Sequence, residues 1–217
     1  MKKFELTAEF VTNIFGKKLF RIKALVSFGN VNAGELGGFV EKEENLSNAD
    51  NAWVSGNARV FGDAWVSGNA WVSGNARVFG DAWVSGNALV SGNARVFGDA
   101  WVSGNARVSG NALVSGDARV SGNARVSGNA LVSGDALVSG NADYSAVKGF
   151  GRYFRATTFF RCTDNVVRVQ CGCFYGDLPQ FRSIVKKTHG DGKLAKEYLA
   201  IADLMEFHFS DKEDADK

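Results

Sequence analysis

Between residues 51 and 140 the chain repeats one six-residue pattern fifteen times, in forms such as NAWVSG, NARVFG, DAWVSG and NALVSG. Ala holds position two, Val position four, Gly position six, and Asn or Asp position one; only positions three and five vary. Successive side chains of a strand point to opposite faces, so this pattern predicts short strands with Ala and Val inward and the variable pair outward. Gly followed by Asn or Asp makes the corner, because glycine carries no Cβ penalty and Asn and Asp tolerate left-handed backbone.

A second period sets the number of strands in each coil. Position one reads Asn, Asn, Asp, which places Asp63, Asp81, Asp99, Asp117 and Asp135 eighteen residues apart. Arg59, Arg77 and Arg95 keep that spacing, as do Phe61, Phe79 and Phe97, and Trp65, Trp83 and Trp101. Three hexads therefore make one coil, and each set predicts a ladder along a three-sided prism of parallel strands. Five coils at the interstrand distance of ~4.8 Å give a prism about 24 Å long.

The flanks lose the period. Residues 3 to 12 and 18 to 26 alternate as a hairpin across Asn13 to Lys17, and Leu36 to Val40 begin a first irregular coil. Beyond a degenerate sixteenth hexad, NADYSA, residues 153 to 162 and 166 to 174 read as a second hairpin through Thr163, Asp164 and Asn165. Two helices follow, one opened by Pro179 and running to about Lys187, the other spanning Lys193 to Phe207. The expected organisation is an N-terminal hairpin and solenoid cap at 1–50, a repeat solenoid at 51–146, a ββαα domain at 147–209, and a flexible acidic tail at 210–217. Bare solenoid ends would expose strand edges and an open core, so both flanks read as caps.

These residues resemble the hexapeptide-repeat proteins, whose fold is a left-handed parallel β-helix. Left-handedness is what the resemblance implies, since crossovers are generally right-handed. FRIKAL at 20–25 and AGELGGFVEKEENLS at 33–47, leading into NAxVxG repeats, look like uncharacterised phage and prophage members of that group. FFRCTDNVVRVQCGCF at 159–174 and KLAKEYLAIADLMEFHF at 193–209 are similar to the ends of the same proteins. The resemblance covers nearly the whole chain and implies a phage or prophage origin. It supplies no catalytic residues.

Composition narrows the partners. With 25 Lys plus Arg against 23 Asp plus Glu in 217 residues, the net charge of +2 points to no bulk polyelectrolyte. Three cysteines crowded into residues 162 to 173 suit reduced thiols rather than a disulfide framework, and Glu5 and Glu9 interrupt any leader-like apolar run. The expected protein is soluble and cytoplasmic, in a bacterial host cell.

Hexapeptide-repeat folds are best known for acyltransferases that use a histidine base, but the repeats contain no histidine. His189 and His208 both fall in the C-terminal region, and no loop interrupts the hexads to build an acyl-donor pocket. Cys162, Cys171, Cys173 and His189 lack the spacing of a zinc site, since Cys171 and Cys173 are separated by one residue. The Asp column is read as corner hydrogen bonding rather than a calcium or magnesium site. No cofactor, metal or catalytic residue is expected.

The variable columns carry the functional signal. Face one presents Trp53, Trp71, Leu89, Arg107 and Arg125; face two Arg59, Arg77, Arg95, Leu113 and Leu131; face three Trp65, Trp83, Trp101, Arg119 and Leu137. All five tryptophans are expected to point outward, as an interface. Face two sets Phe61, Phe79 and Phe97 beside its arginines, a combination suited to bases and phosphates. Residues 147 to 187 add Lys148, Arg152, Arg155, Arg161, Arg168, Arg182, Lys186 and Lys187 against Asp164 and Asp177. The expectation is a non-enzymatic binding protein, a dimer or trimer, that engages a host protein complex as an inhibitor of bacterial immunity, with nucleic acid as another partner and no membrane. The other readings are a self-assembling structural solenoid and, behind it, an acyltransferase.

Overall fold

The computed structural model describes residues 2–210. A β-hairpin opens the chain, β1 (Phe4–Thr12) and β2 (Lys18–Ala24), followed by β3 (Leu36–Val40). Fifteen strands of two to four residues, β4–β18, run from Trp53–Val54 to Leu137–Val138. Four more, β19 (Tyr144–Val147), β20 (Thr157–Arg161), β21 (Val167–Cys171) and β22 (Phe174–Asp177), precede α1 (Leu178–His189) and α2 (Lys193–Ser210). The C-terminal unit is thus ββββαα, with two strands more than expected. The acidic tail expected at 210–217 lies, Ser210 apart, outside the described residues.

The repeats form three parallel sheets, one for each face. Every strand pairs with the one eighteen residues on, Trp53 with Trp71 and Val54 with Val72, so the column assignments hold. Each repeat Ala and Val is at most 1% exposed. Gly86 shows why the corners need glycine. Its φ is +65°, and a Cβ there would stand 2.9 Å from the Gly104 amide of the next coil.

The first coil is longer than the rest: Phe39 pairs with Arg59 and Leu46 bridges to Val66, offsets of twenty rather than eighteen. This coil and the N-terminal strand close one end. The Ala carbonyls of the first regular coil have no repeat above them, and each has found another donor. Ala52 accepts from Lys3 Nζ at 2.9 Å, Ala58 from the Phe39 amide at 2.9 Å, and Ala64 from Asn45 Nδ2 at 2.8 Å. Burial pushes the Lys3 ammonium down to about 8, with Asp50 opposing the shift.

At the other end the orphan groups are amides. Arg125 N donates to Asn141 Oδ1 at 3.0 Å and Leu131 N to Thr158 Oγ1 at 2.9 Å. Alternation along β20 then joins two cores. Phe160 plugs the solenoid, and its neighbour Phe159 packs on the opposite face with Phe181, Val185, Ala202 and Met205 of the helices. Asp177 caps α1, accepting from the Gln180 amide at 2.8 Å, and the Gln180 side chain returns to the Asp177 amide at 3.0 Å.

Val84 is fully buried in a core too narrow to rearrange. Val84→Asp therefore removes the cooperative thermal transition, whereas Val84→Ala leaves it in place with a loss of about 2 kcal/mol in denaturant unfolding.

Candidate functional site

Face three carries the exposed aromatic column. Trp65, Trp83 and Trp101 are 38%, 41% and 45% exposed. Trp83 and Trp101 stack at 5.0 Å between centroids, nearly parallel, while Trp65 meets Trp83 edge-on at 5.2 Å. The Arg119 guanidinium lies 5.5 Å from the Trp101 ring and Leu137 ends the column, also exposed. The outward position two residues on in each strand is a serine, so the indoles stand above a row of small side chains. Stacking shields one indole face from water but leaves the column's outer surface wet.

The tryptophans of face one differ. Trp53 is fully buried, against the expectation of an outward interface residue. Its side chain does leave the prism, but the N-terminal segment covers it: Phe28 packs edge-on at 5.5 Å, and a Cβ on Gly37 would come within 2.7 Å of the indole. Trp71, half-buried, donates from Nε1 to Ser55 Oγ at 3.0 Å. Trp53 thus anchors the cap.

Face two is partly roofed by the hairpin. Phe61, Phe79 and Phe97 stack at 4.9 Å, and Phe61 is buried with Leu19 and Phe39. Arg59 and Arg77 are half-buried and Arg95 is exposed; none has a carboxylate partner among the described residues. Burial and the flanking Arg59 and Arg95 charges hold the Arg77 pKa below its ordinary value.

The C-terminal basic cluster divides by partner. Arg182 bridges Asp203 and Glu206, both at 2.7 Å; Arg168 meets Asp164 at 2.6 Å; Arg161 donates to the Phe209 carbonyl at 2.6 Å and lies 3.7 Å from Asp143. These three arginines hold the domain together. Arg152 and Arg155 instead flank the Tyr153 ring at 5.6 and 5.1 Å, and Lys186 and Lys187 lie exposed in the last turn of α1.

The corner columns hold a feature that the repeat pattern signalled and the reading of the residues passed over. Asn51, Asn69, Asn87, Asn105 and Asn123 form a continuous amide ladder, each Nδ2 donating to the next Oδ1 at 3.0–3.2 Å. A second ladder runs Asn75, Asn93, Asn111, Asn129. Carboxylates cannot do this, having no proton to donate. The Asp column is instead engaged at its ends, Asp63 by Lys42 Nζ at 2.7 Å and Asp135 by the Tyr175 hydroxyl at 3.0 Å. Among the described residues no three His, Cys, Asp or Glu side chains are grouped as metal ligands. His189 stacks on Tyr198 at 5.9 Å and His208 lies edge-on to Phe209.

Residues 52–68, 70–86, 88–104, 100–116, 106–122 and 118–134 match the family model of the YdcK beta solenoid repeat. The matched segments lie within the coils and leave both caps outside. The chain is a β-solenoid repeat protein of about six turns, closed by an antiparallel sheet and two helices. No curated protein matches it. No helix among the described residues is long and apolar enough to cross a membrane.

Cys162, Tyr175 and Asp135 meet where the last coil joins the C-terminal sheet. Burial, then the Asp135 charge, pushes the Cys162 thiol from its ordinary 9.0 up to about 12, while Cys173 is exposed. Iodoacetamide is expected to modify Cys173 first and Cys162 last, read by mass spectrometry. The folded state keeps the Cys162 proton where the unfolded chain has lost it, so this thiol lowers stability as pH rises from 9 towards 12. Cys162→Ala flattens that limb of the pH–stability curve.

Proposed function

We propose that the protein is a non-enzymatic scaffold that docks a macromolecular partner through Trp65, Trp83 and Trp101. The carrying observation is that these three indoles stay exposed in register on one sheet, whereas the other aromatic columns are wholly or partly covered by the protein's own N-terminal segment. Contiguous apolar patches of this kind mark interaction surfaces, and tryptophan is the residue type most enriched at energetic hot spots. A rigid coil stack presents them without an ordering cost on binding.

The partner proposed is a protein complex of a bacterial host, and the role is inhibition of an anti-phage immune system. Support for that origin comes from the resemblance of both flanks to phage and prophage proteins. The repeats place no histidine among their outward columns, which favours binding over acyl transfer. Donors and acceptors satisfied at both solenoid ends favour a discrete complex, a dimer, trimer or hetero-complex, over end-to-end polymerisation.

Replacing Trp65, Trp83 and Trp101 by Ser leaves the circular dichroism spectrum essentially unchanged. The same variant loses self-association in light scattering or loses its protein partner in affinity capture from nuclease-treated bacterial lysate. Retention of both associations overturns the assignment of this face.

A further inference from the structure

β19 and β20 are antiparallel neighbours, Val147 opposite Thr157, yet nine residues, Lys148 to Ala156, join them. Hairpin connections are usually two to five residues long, and a longer one invites a functional explanation. The segment reads KGFGRYFRA and contains no acidic residue. Phe150, Tyr153 and Phe154 are 41%, 66% and 65% exposed, and Lys148, Arg152 and Arg155, interspersed with them along the segment, are exposed as well. Among the described residues neither Arg152 nor Arg155 has a carboxylate partner, in contrast to Arg168 and Arg182 of the same domain.

The backbone adds an independent observation. Phe154 has φ +51°, and the only other non-glycine residue on that side among the described residues, Asn165, is in a tight turn that asparagine tolerates. An aromatic residue in the left-handed region is strained, and Phe154 recovers little by burial because most of it faces water. Strain held at an exposed aromatic points to a job outside folding.

Grooves run along both sides of the loop. One, of about 410 Å³, is lined by Arg152, Tyr153, Arg155, His189 and Tyr198 with apolar residues beneath; the other, of about 470 Å³, lies against the last coil at Asn129, Leu131, Lys148 and Phe154. Neither lining includes a carboxylate.

We propose that this loop binds single-stranded nucleic acid, with bases stacked on Phe150, Tyr153 and Phe154 and phosphates met by Lys148, Arg152 and Arg155. Alternating aromatic and cationic side chains match the alternation of base and phosphate along one strand. A paired duplex keeps its base faces stacked inside and offers the aromatics nothing. Concave, polar-edged flanks suit a threaded strand better than a flat lipid surface. The site lies apart from the tryptophan face and does not depend on the reading of that face.

The test is fluorescence anisotropy of the full chain with labelled oligothymidylate and oligouridylate of about twelve nucleotides, against duplex DNA of equal length, heparin, and phosphatidylglycerol vesicles. Single strands are expected to bind more tightly than duplex, heparin or vesicles. Arg152→Gln with Arg155→Gln reduces the slope of log affinity against log salt by about 1.4. Phe154→Gly weakens binding roughly tenfold or more, leaves the salt slope unchanged, and does not lower the melting temperature because the strain is relieved. The proposal is overturned by absence of binding at low salt, by wild-type affinity in both variants, or by heparin, duplex or vesicles binding as tightly as the single strand.

Discussion

Everything in this protein hangs on the coil-to-coil hydrogen-bond register of a core only Ala and Val wide. From Gly62 to Gly116, a Cβ on a corner glycine would stand 2.9–3.1 Å from its counterpart one coil on. Each inward position admits one size of side chain. Register in a parallel sheet is usually set by many weak preferences, but here the exact eighteen-residue repetition sets it. Equivalent outward residues must then stand in columns, and the chemistry of a column is that of one side chain multiplied by the number of coils.

That multiplication explains the contrasts among columns. Asparagine multiplied becomes a chain of amide hydrogen bonds, and phenylalanine becomes a stack. Aspartate and arginine become rows of like charge. Lys42 and Tyr175 take the two ends of the Asp column, and the partially roofed Arg77 feels the charges on either side. The caps answer a second demand of the same register, the orphan carbonyls at one end and amides at the other. Lys3, Asn45, Asn141 and Thr158 meet them with side chains, backbone alone being unable to stop a repeat.

Periodicity made the solenoid readable, because local residues determine it: the coil length, inward Ala and Val and outward columns all follow from spacing. The first hairpin and both helices were equally local. What stayed hidden depends on contacts between distant segments. Nothing near Trp53 announces that Phe28 will cover it, and nothing near Arg161, Arg168 or Arg182 shows which of them will find carboxylates or carbonyls. β19 begins inside NADYSA, which still resembles a hexad although its backbone turns through a 3-10 helix at Asn141–Asp143 before joining the antiparallel sheet. β22 is four residues long and ends directly in the N-cap of α1. Among the candidate surfaces, the Trp65, Trp83 and Trp101 column stays exposed and Trp53 lies beneath the N-terminal segment, while residues 148 to 156 read in the sequence only as scattered positive charge.

The functional account rests on a difference between columns built from the same repeat: the N-terminal segment covers Trp53 and leaves Trp83 bare. A photo-crosslinking side chain placed at position 83, compared with one at position 107 on face one, tests that account in bacterial cells. The account predicts a discrete protein adduct, either a second copy or a partner, from position 83 and none from position 107. Adducts of equal yield from both positions, or none from position 83, would contradict it.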